Sequence, residues 1–122
     1  MKIAIPAEGQ NLESQVNRSF GRTPYFIIVN SDTMEFDVIE NQAMNAQGGA
    51  GIKAGQTIVD SGAKVVIAFQ CGQNAADVLN AAGIKFLKAV PGTIFEVVEK
   101  YNKQELAELT DVHPGYHGRG GK

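Results

Sequence analysis

The sequence predicts an α/β fold: one five-stranded mixed sheet with helices on both faces. Three observations predict it. Residues 64–69 are apolar almost throughout and run straight into helix-like spacing, as a strand covered on both faces and feeding a crossover does. Residues 25–30 and 36–41 are rich in aromatic and β-branched side chains and flank the turn-forming Asn30-Ser31-Asp32-Thr33, which reads as a hairpin. From residue 50 onward, helix and strand patterns alternate.

The elements follow in order. Residues 2–6 form strand one, ended by Pro6, which cannot donate to a ladder. Residues 7–19 are polar without a sustained period and read as loop. Ser19-Phe20-Gly21-Arg22-Thr23-Pro24 is a turn-rich bend before strand two, and the hairpin supplies strands two and three. After a second loop ending in Gly48-Gly49, Ile52, Ala54, Ile58 and Val59 support a helix over 50–61, with Gly62 suited to its C′ position. Strand four covers 64–69. Ala75, Val78, Leu79 and Ala82 fall on one helical stripe that Gly83 ends. Residues 84–87 form strand five. Thr93 and Glu96 have capping-box spacing ahead of a stripe of Ile94, Val97, Val98 and Tyr101. Residues 103–109 read as one more helical turn.

The order β-β-β-α-β-α-β-α has a hairpin first and right-handed crossovers after it. The simplest sheet joining the halves is 3-2-1-4-5 with strand two alone antiparallel, a ribonuclease H-like arrangement. Residues 1–110 form one domain, and 111–122 a flexible Gly- and His-rich tail.

Composition narrows the function. A chain of 122 residues with 43% hydrophobic residues builds a core without staples. The single cysteine excludes an internal disulfide framework and fits the cytosol. No stretch resembles a membrane span or a signal peptide. A net charge of −2, a pI near 5.6 and no tryptophan argue against nucleic-acid binding. Two-metal phosphoryl chemistry needs clustered carboxylates; strands one and four carry none, which excludes a nuclease.

The candidate site lies at the carboxyl edge of the sheet, where open α/β folds bind ligands. Cys71, before a helix N-terminus, either has a lowered pKa and offers a thiolate to a soft metal, or is a small, partly buried residue that fills the loop. One thiolate cannot hold a four-thiolate cluster, so further ligands would come from the cargo, a second subunit, or His113 and His117 of the tail. Gly72 and Asn74 share the Cys71 loop. The Gly48-Gly49-Ala50-Gly51 turn opens a helix and lets backbone N–H groups approach an anion, although a plain loop needing positive φ explains it equally well. Arg22 suits an anionic group, or else ties its loop to a carboxylate.

Four stretches together resemble the nitrogenase accessory factor family, also described as the dinitrogenase iron–molybdenum cofactor biosynthesis domain. They are Met1-Lys2-Ile3-Ala4-Ile5-Pro6, Ser19-Phe20-Gly21-Arg22-Thr23-Pro24-Tyr25-Phe26, Gly48-Gly49-Ala50-Gly51-Ile52, and Ala82-Gly83-Ile84-Lys85 with Gly92-Thr93. The resemblance implies the same ribonuclease H-like fold. It also implies prokaryotic proteins that bind, carry or protect iron–sulfur or iron–molybdenum cluster precursors without catalysis. Many members carry a histidine where this chain has Ser19, and glycines where it has Gln70 and Cys71, so a site here has different chemistry.

The expected function is therefore binding and hand-over of an iron–sulfur or iron–molybdenum cluster, with Ser19, Phe20, Arg22, Gly48, Gly49, Gly51, Cys71, Gly72 and Asn74 around it. The expected partner is a cluster donor or acceptor protein, and the chain is expected to be a monomer or weak homodimer. The alternative is a metal-free regulatory or interaction domain that binds a small anion or a protein. A thiol enzyme ranks last, since no histidine lies near Cys71 in the ordered sequence.

Overall fold

A computed structural model describes residues 1–41 and 49–109, and the backbone of 112–113. The elements are β1 (Lys2–Ala7), β2 (Tyr25–Asn30), β3 (Phe36–Glu40), α1 (Ala50–Ser61), β4 (Val65–Ala68), β5 (Cys71–Gly72), α2 (Gln73–Ala81), β6 (Lys85–Lys88), α3 (Ile94–Asn102) and β7 (Val112–His113). Five of the strands make one mixed sheet in the order β3-β2-β1-β4-β6, and β5 and β7 make a separate two-stranded ladder. The fifth strand of the expected sheet is thus β6. β2 runs antiparallel to β1 and β3, while β4 runs parallel to β1 and β6.

Side-chain alternation along the strands divides the core into two layers. Ala4, Phe26, Ile28 and Val66 face α1 and α2, meeting Ala54, Ile58, Ala75, Ala76 and Leu79. Ile3, Ile5, Ile27, Val29, Val65 and Ile67 face α3, meeting Ile94, Val97 and Val98. The sheet is therefore covered on both sides, which explains why β4 is apolar at every position. The helix ends follow local chemistry. Gly62 closes α1 at φ 83° with its N–H on the Val59 carbonyl, and Thr93 and Glu96 form the complete capping box of α3.

Several expectations are corrected. Pro6 does not end β1: it pairs opposite Phe26, and the strand runs on to Ala7. Its carbonyl accepts the Asn17 N–H at 2.9 Å, on the side away from β2. A donor at Pro6 would point the same way, so none is missed by the ladder with β2. Residues 103–109 are not a helical turn. Gln104, at φ 61°, turns the chain, which then runs antiparallel along β6. Lys88 N–H bonds the Ala107 carbonyl at 2.8 Å and Leu109 N–H the Phe86 carbonyl at 3.2 Å. An edge strand leaves backbone groups unpaired, and this segment satisfies them. Ile52, placed on the buried stripe of α1, is 48% exposed; Gly55 takes the buried position beside Ala54 and Ile58.

Candidate functional site

The carboxyl edge is built by three segments that lock together: the bend over 19–24, the start of α1 and the start of α2. Two buried polar side chains hold the bend. Asn41 Nδ2 donates to the Gly21 carbonyl at 3.0 Å and to the Thr23 carbonyl at 2.8 Å. Thr23 Oγ1 lies 3.1 Å from both the Ala7 and Tyr25 carbonyl oxygens and donates between them. Ser19 Oγ accepts the Arg22 N–H at 3.1 Å, and Ser19 N–H bonds Asn17 Oδ1 at 2.7 Å. Phe20 is an anchor rather than a lining residue: it is buried, with its ring 5.3 Å from that of Phe26 at 59°.

The bend then meets the helices through glycines. A Cβ on Gly21 would stand 3.6 Å from the Gly51 nitrogen, and one on Gly51 would stand 3.4 Å from the Ala75 nitrogen and 3.8 Å from Asn74 Cβ. Gly21, Gly51 and Asn74 are therefore neighbours, at ordinary contact distances. Gly49, the N-cap of α1, sits at φ 72°, a conformation that favours glycine. Gly48 lies outside the described residues.

Both helices begin without side-chain caps. Gly49 and Gly72 are their N-caps, neither makes a side-chain cap hydrogen bond, and neither first turn carries an acidic residue. Among the described residues nothing stands within 4 Å of a Cβ built on either glycine. The positive dipole ends of two helices, neither closed by an N-cap side chain, thus lie at one edge. α3, capped by Thr93 and Glu96, offers no such end.

Of the two readings of Cys71, its burial fits the loop-filling residue and not the exposed thiolate. It lies in β5, paired to the chain's last described residues with Cys71 opposite Val112 and Gly72 opposite His113. Its side chain is fully buried in the layer beneath α1 and α2. The thiol contacts the Gly72 carbonyl at 3.6 Å, and burial pushes its pKa up from an ordinary 9.0 to about 12. The expected lowering by the α2 dipole, worth about 1 kcal/mol at most for an exposed end, loses to desolvation, which shifts buried groups by as much as several units. A thiol in this state is a poor nucleophile and a poor metal ligand. His113 reaches the neighbourhood through its backbone in β7, whereas His117 lies outside the described residues. Among the described residues no three His, Cys, Asp or Glu side chains are grouped to hold a metal ion.

Sequence reasoning placed Thr23 in the bend without a role of its own, and passed over Asn41 and Arg18. The Arg18 guanidinium lies 4.5 Å from the centre of the Phe69 ring, and its carbonyl accepts from Gln70 Nε2 at 3.1 Å. The signal for Asn41 was its type: a buried asparagine straight after a strand has backbone groups to satisfy.

One further region stands apart from this edge. A cleft of about 650 Å³ at the amino end of β1 and β6 is lined by Met1, Asp32, Lys85, Tyr101 and Asn102. No helix among the described residues is long and apolar enough to cross a membrane.

Comparison with known proteins agrees with this architecture. The apo form of the orange protein from Desulfovibrio gigas superposes with TM-score 0.85 at 32% identity, covering 89% of this chain and 92% of that one. A NifB-like protein from Thermotoga superposes with TM-score 0.79 at 35% identity, covering 98% of both chains. A dinitrogenase-like protein from Methanocaldococcus jannaschii, at 18% identity and TM-score 0.69, shares the fold, with 91% of this chain and 96% of that one covered. No curated protein sequence matches significantly. The sequence model of the dinitrogenase iron-molybdenum cofactor family matches residues 1–104, nearly the whole described chain, and the protein belongs to that family.

Proposed function

We propose that this protein binds and hands over an anionic metallocluster, an iron–sulfur or iron–molybdenum cluster or its precursor, at the carboxyl edge of its sheet. The observation that carries the reading is the pair of glycine-headed, uncapped helix N-termini that meet beside the bend. Two such ends aim backbone donors at one place without supplying a negative charge of their own. Family membership points to the same class of cargo.

The donor set decides how the cargo is held. With Cys71 buried and its thiol protonated, the chain does not offer a thiolate at the surface. The cluster brings its own sulfur ligands and is held from outside, by N–H groups of the turns at Gly49–Gly51 and Gly72–Asn74 and by the Ser19–Arg22 bend. Hand-over then requires no bond to the protein to break, and no catalysis. The absence of a side-chain metal grouping among the described residues favours a second reading, a domain that binds a small anion or a protein partner without metal.

Gly72→Asp tests the proposal. An aspartate N-cap is favourable for α2 by about 1 kcal/mol, yet it occupies the donors and repels an anion. The variant is expected to melt at or above the wild-type temperature and to lose retention of a preformed, thiolate-capped four-iron cluster during anaerobic gel filtration. Equal retention by the variant removes the helix ends from the site. Wild-type protein that retains no cluster but is stabilised by phosphate or sulfate supports the second reading.

A further inference from the structure

We infer that Arg18 supplies the positive charge that recognises the anionic cargo, and that Phe69 and Gln70 hold it in place; the inference rests on the reading above. The crevice that an open sheet offers lies between neighbouring strands whose connections leave in different directions. Here those strands are β1, which continues to β2 on one side, and β4, which leads to β6 on the other. Arg18 is tied to the carboxyl ends of both. Its neighbour Asn17 donates its N–H to the carbonyl of Pro6 on β1 at 2.9 Å, and Gln70, just beyond β4, donates to the Arg18 carbonyl at 3.1 Å.

The side chain is fixed as well. Its guanidinium carbon lies 4.5 Å from the centre of the Phe69 ring. A guanidinium over an aromatic ring turns its planar face to the ring and keeps its N–H donors on the open rim, the geometry that takes an anion's oxygens or sulfurs in pairs. No carboxylate among the described residues forms an ion pair with it; the ion pairs found there join the Met1 amine to Asp32 and Lys100 to Glu105. A surface arginine with this anchoring and no counter-charge among the described residues is arranged for a partner from outside. Lysine could not replace it, because an ammonium presents a point charge without the fork or the flat face.

Anaerobic retention of a preformed thiolate-capped four-iron cluster, followed across a salt series, tests this with Arg18→Gln, Arg18→Lys and Phe69→Leu. Arg18→Gln is expected to weaken retention about tenfold, the scale of one lost charge-assisted contact, and to flatten its salt dependence. Arg18→Lys should keep the salt dependence but not the affinity, and Phe69→Leu should give a smaller loss of both. Arg18 is exposed, so its variants should melt with the wild type. Wild-type and Arg18→Gln curves that coincide overturn the assignment of Arg18 while leaving the cargo reading intact. Failure of the wild type itself to retain the cluster overturns the cargo reading, and with it this one.

Discussion

Gly55 and Val78 set the distance between α1 and α2: a Cβ added to Gly55 would lie 3.2 Å from both Cβ and Cγ1 of Val78. Those atoms sit close to the α2 backbone, so rotation of Val78 cannot relieve both contacts. Gly55→Ala gains up to about 1 kcal/mol of helix propensity and loses about 1–3 kcal/mol to overpacking. A net destabilisation of about 1 kcal/mol in urea unfolding is expected. Gly51→Ala meets its neighbours at ordinary contact distances and should stay within about 0.5 kcal/mol of wild type. Equal stability of the two variants would show that the helices separate freely.

Asn41 should matter more to the bend than any residue within it. Asn41→Ala removes both donors from the Gly21 and Thr23 carbonyls, a loss of about 2 kcal/mol. Asn41→Asp sets acceptor against acceptor and should cost at least as much. Hydrogen exchange over residues 19–24 should quicken in both. Unchanged exchange there would mean that Thr23 holds the bend alone.

Cys71 makes stability depend on alkaline pH. Its folded pKa is raised, so its contribution is fully present below the unfolded value near 9.0 and is lost as pH rises toward about 12. Between these limits the unfolded chain releases a proton that the folded chain keeps, and stability should fall by about 1 kcal/mol per pH unit from this group. Cys71→Ala should remove that slope. In the native protein at pH 8, a thiol probe should label Cys71 only at the rate of opening; rapid native labelling would contradict its burial.

The α3 cap can be separated from the cargo edge. Thr93→Ala should cost about 1 kcal/mol, because it exposes the Glu96 N–H that Thr93 Oγ1 accepts at 3.1 Å. Cluster retention should not change. A parallel loss of retention would link α3 to the site.

The sequence was most informative where local chemistry decides the outcome. The hairpin, Gly62 after α1, the capping box and the apolar β4 all depend on neighbours in the chain. It was least informative where distant segments meet. Nothing near Cys71 announces that α1 and α2 will bury its thiol, or that Val112 and His113 will pair beside it. Reading the helix end alone therefore gives the wrong direction for its pKa. Residues 103–109 failed for the same reason: Leu106 and Leu109 fit a helical turn, but the unpaired edge of β6 draws the segment out straight. At the site, Gly49 was legible as a turn glycine, and it sits at φ 72° as the N-cap of α1. Arg18 was not, since its role depends on Phe69, half the chain away.

The place of β1 in the sheet has a consequence for how the chain is made. β1, made before β2, β3 and β4, is the central strand: Ile3 pairs with Val29 on one side and with Val65 on the other. Until β4 leaves the ribosome, a β1–β2–β3 meander can form, but it presents an open, apolar parallel edge. Nascent chains stalled before Val65 should thus be the aggregation-prone species and the ones that need a chaperone, whereas chains released after β6 should close the sheet unaided.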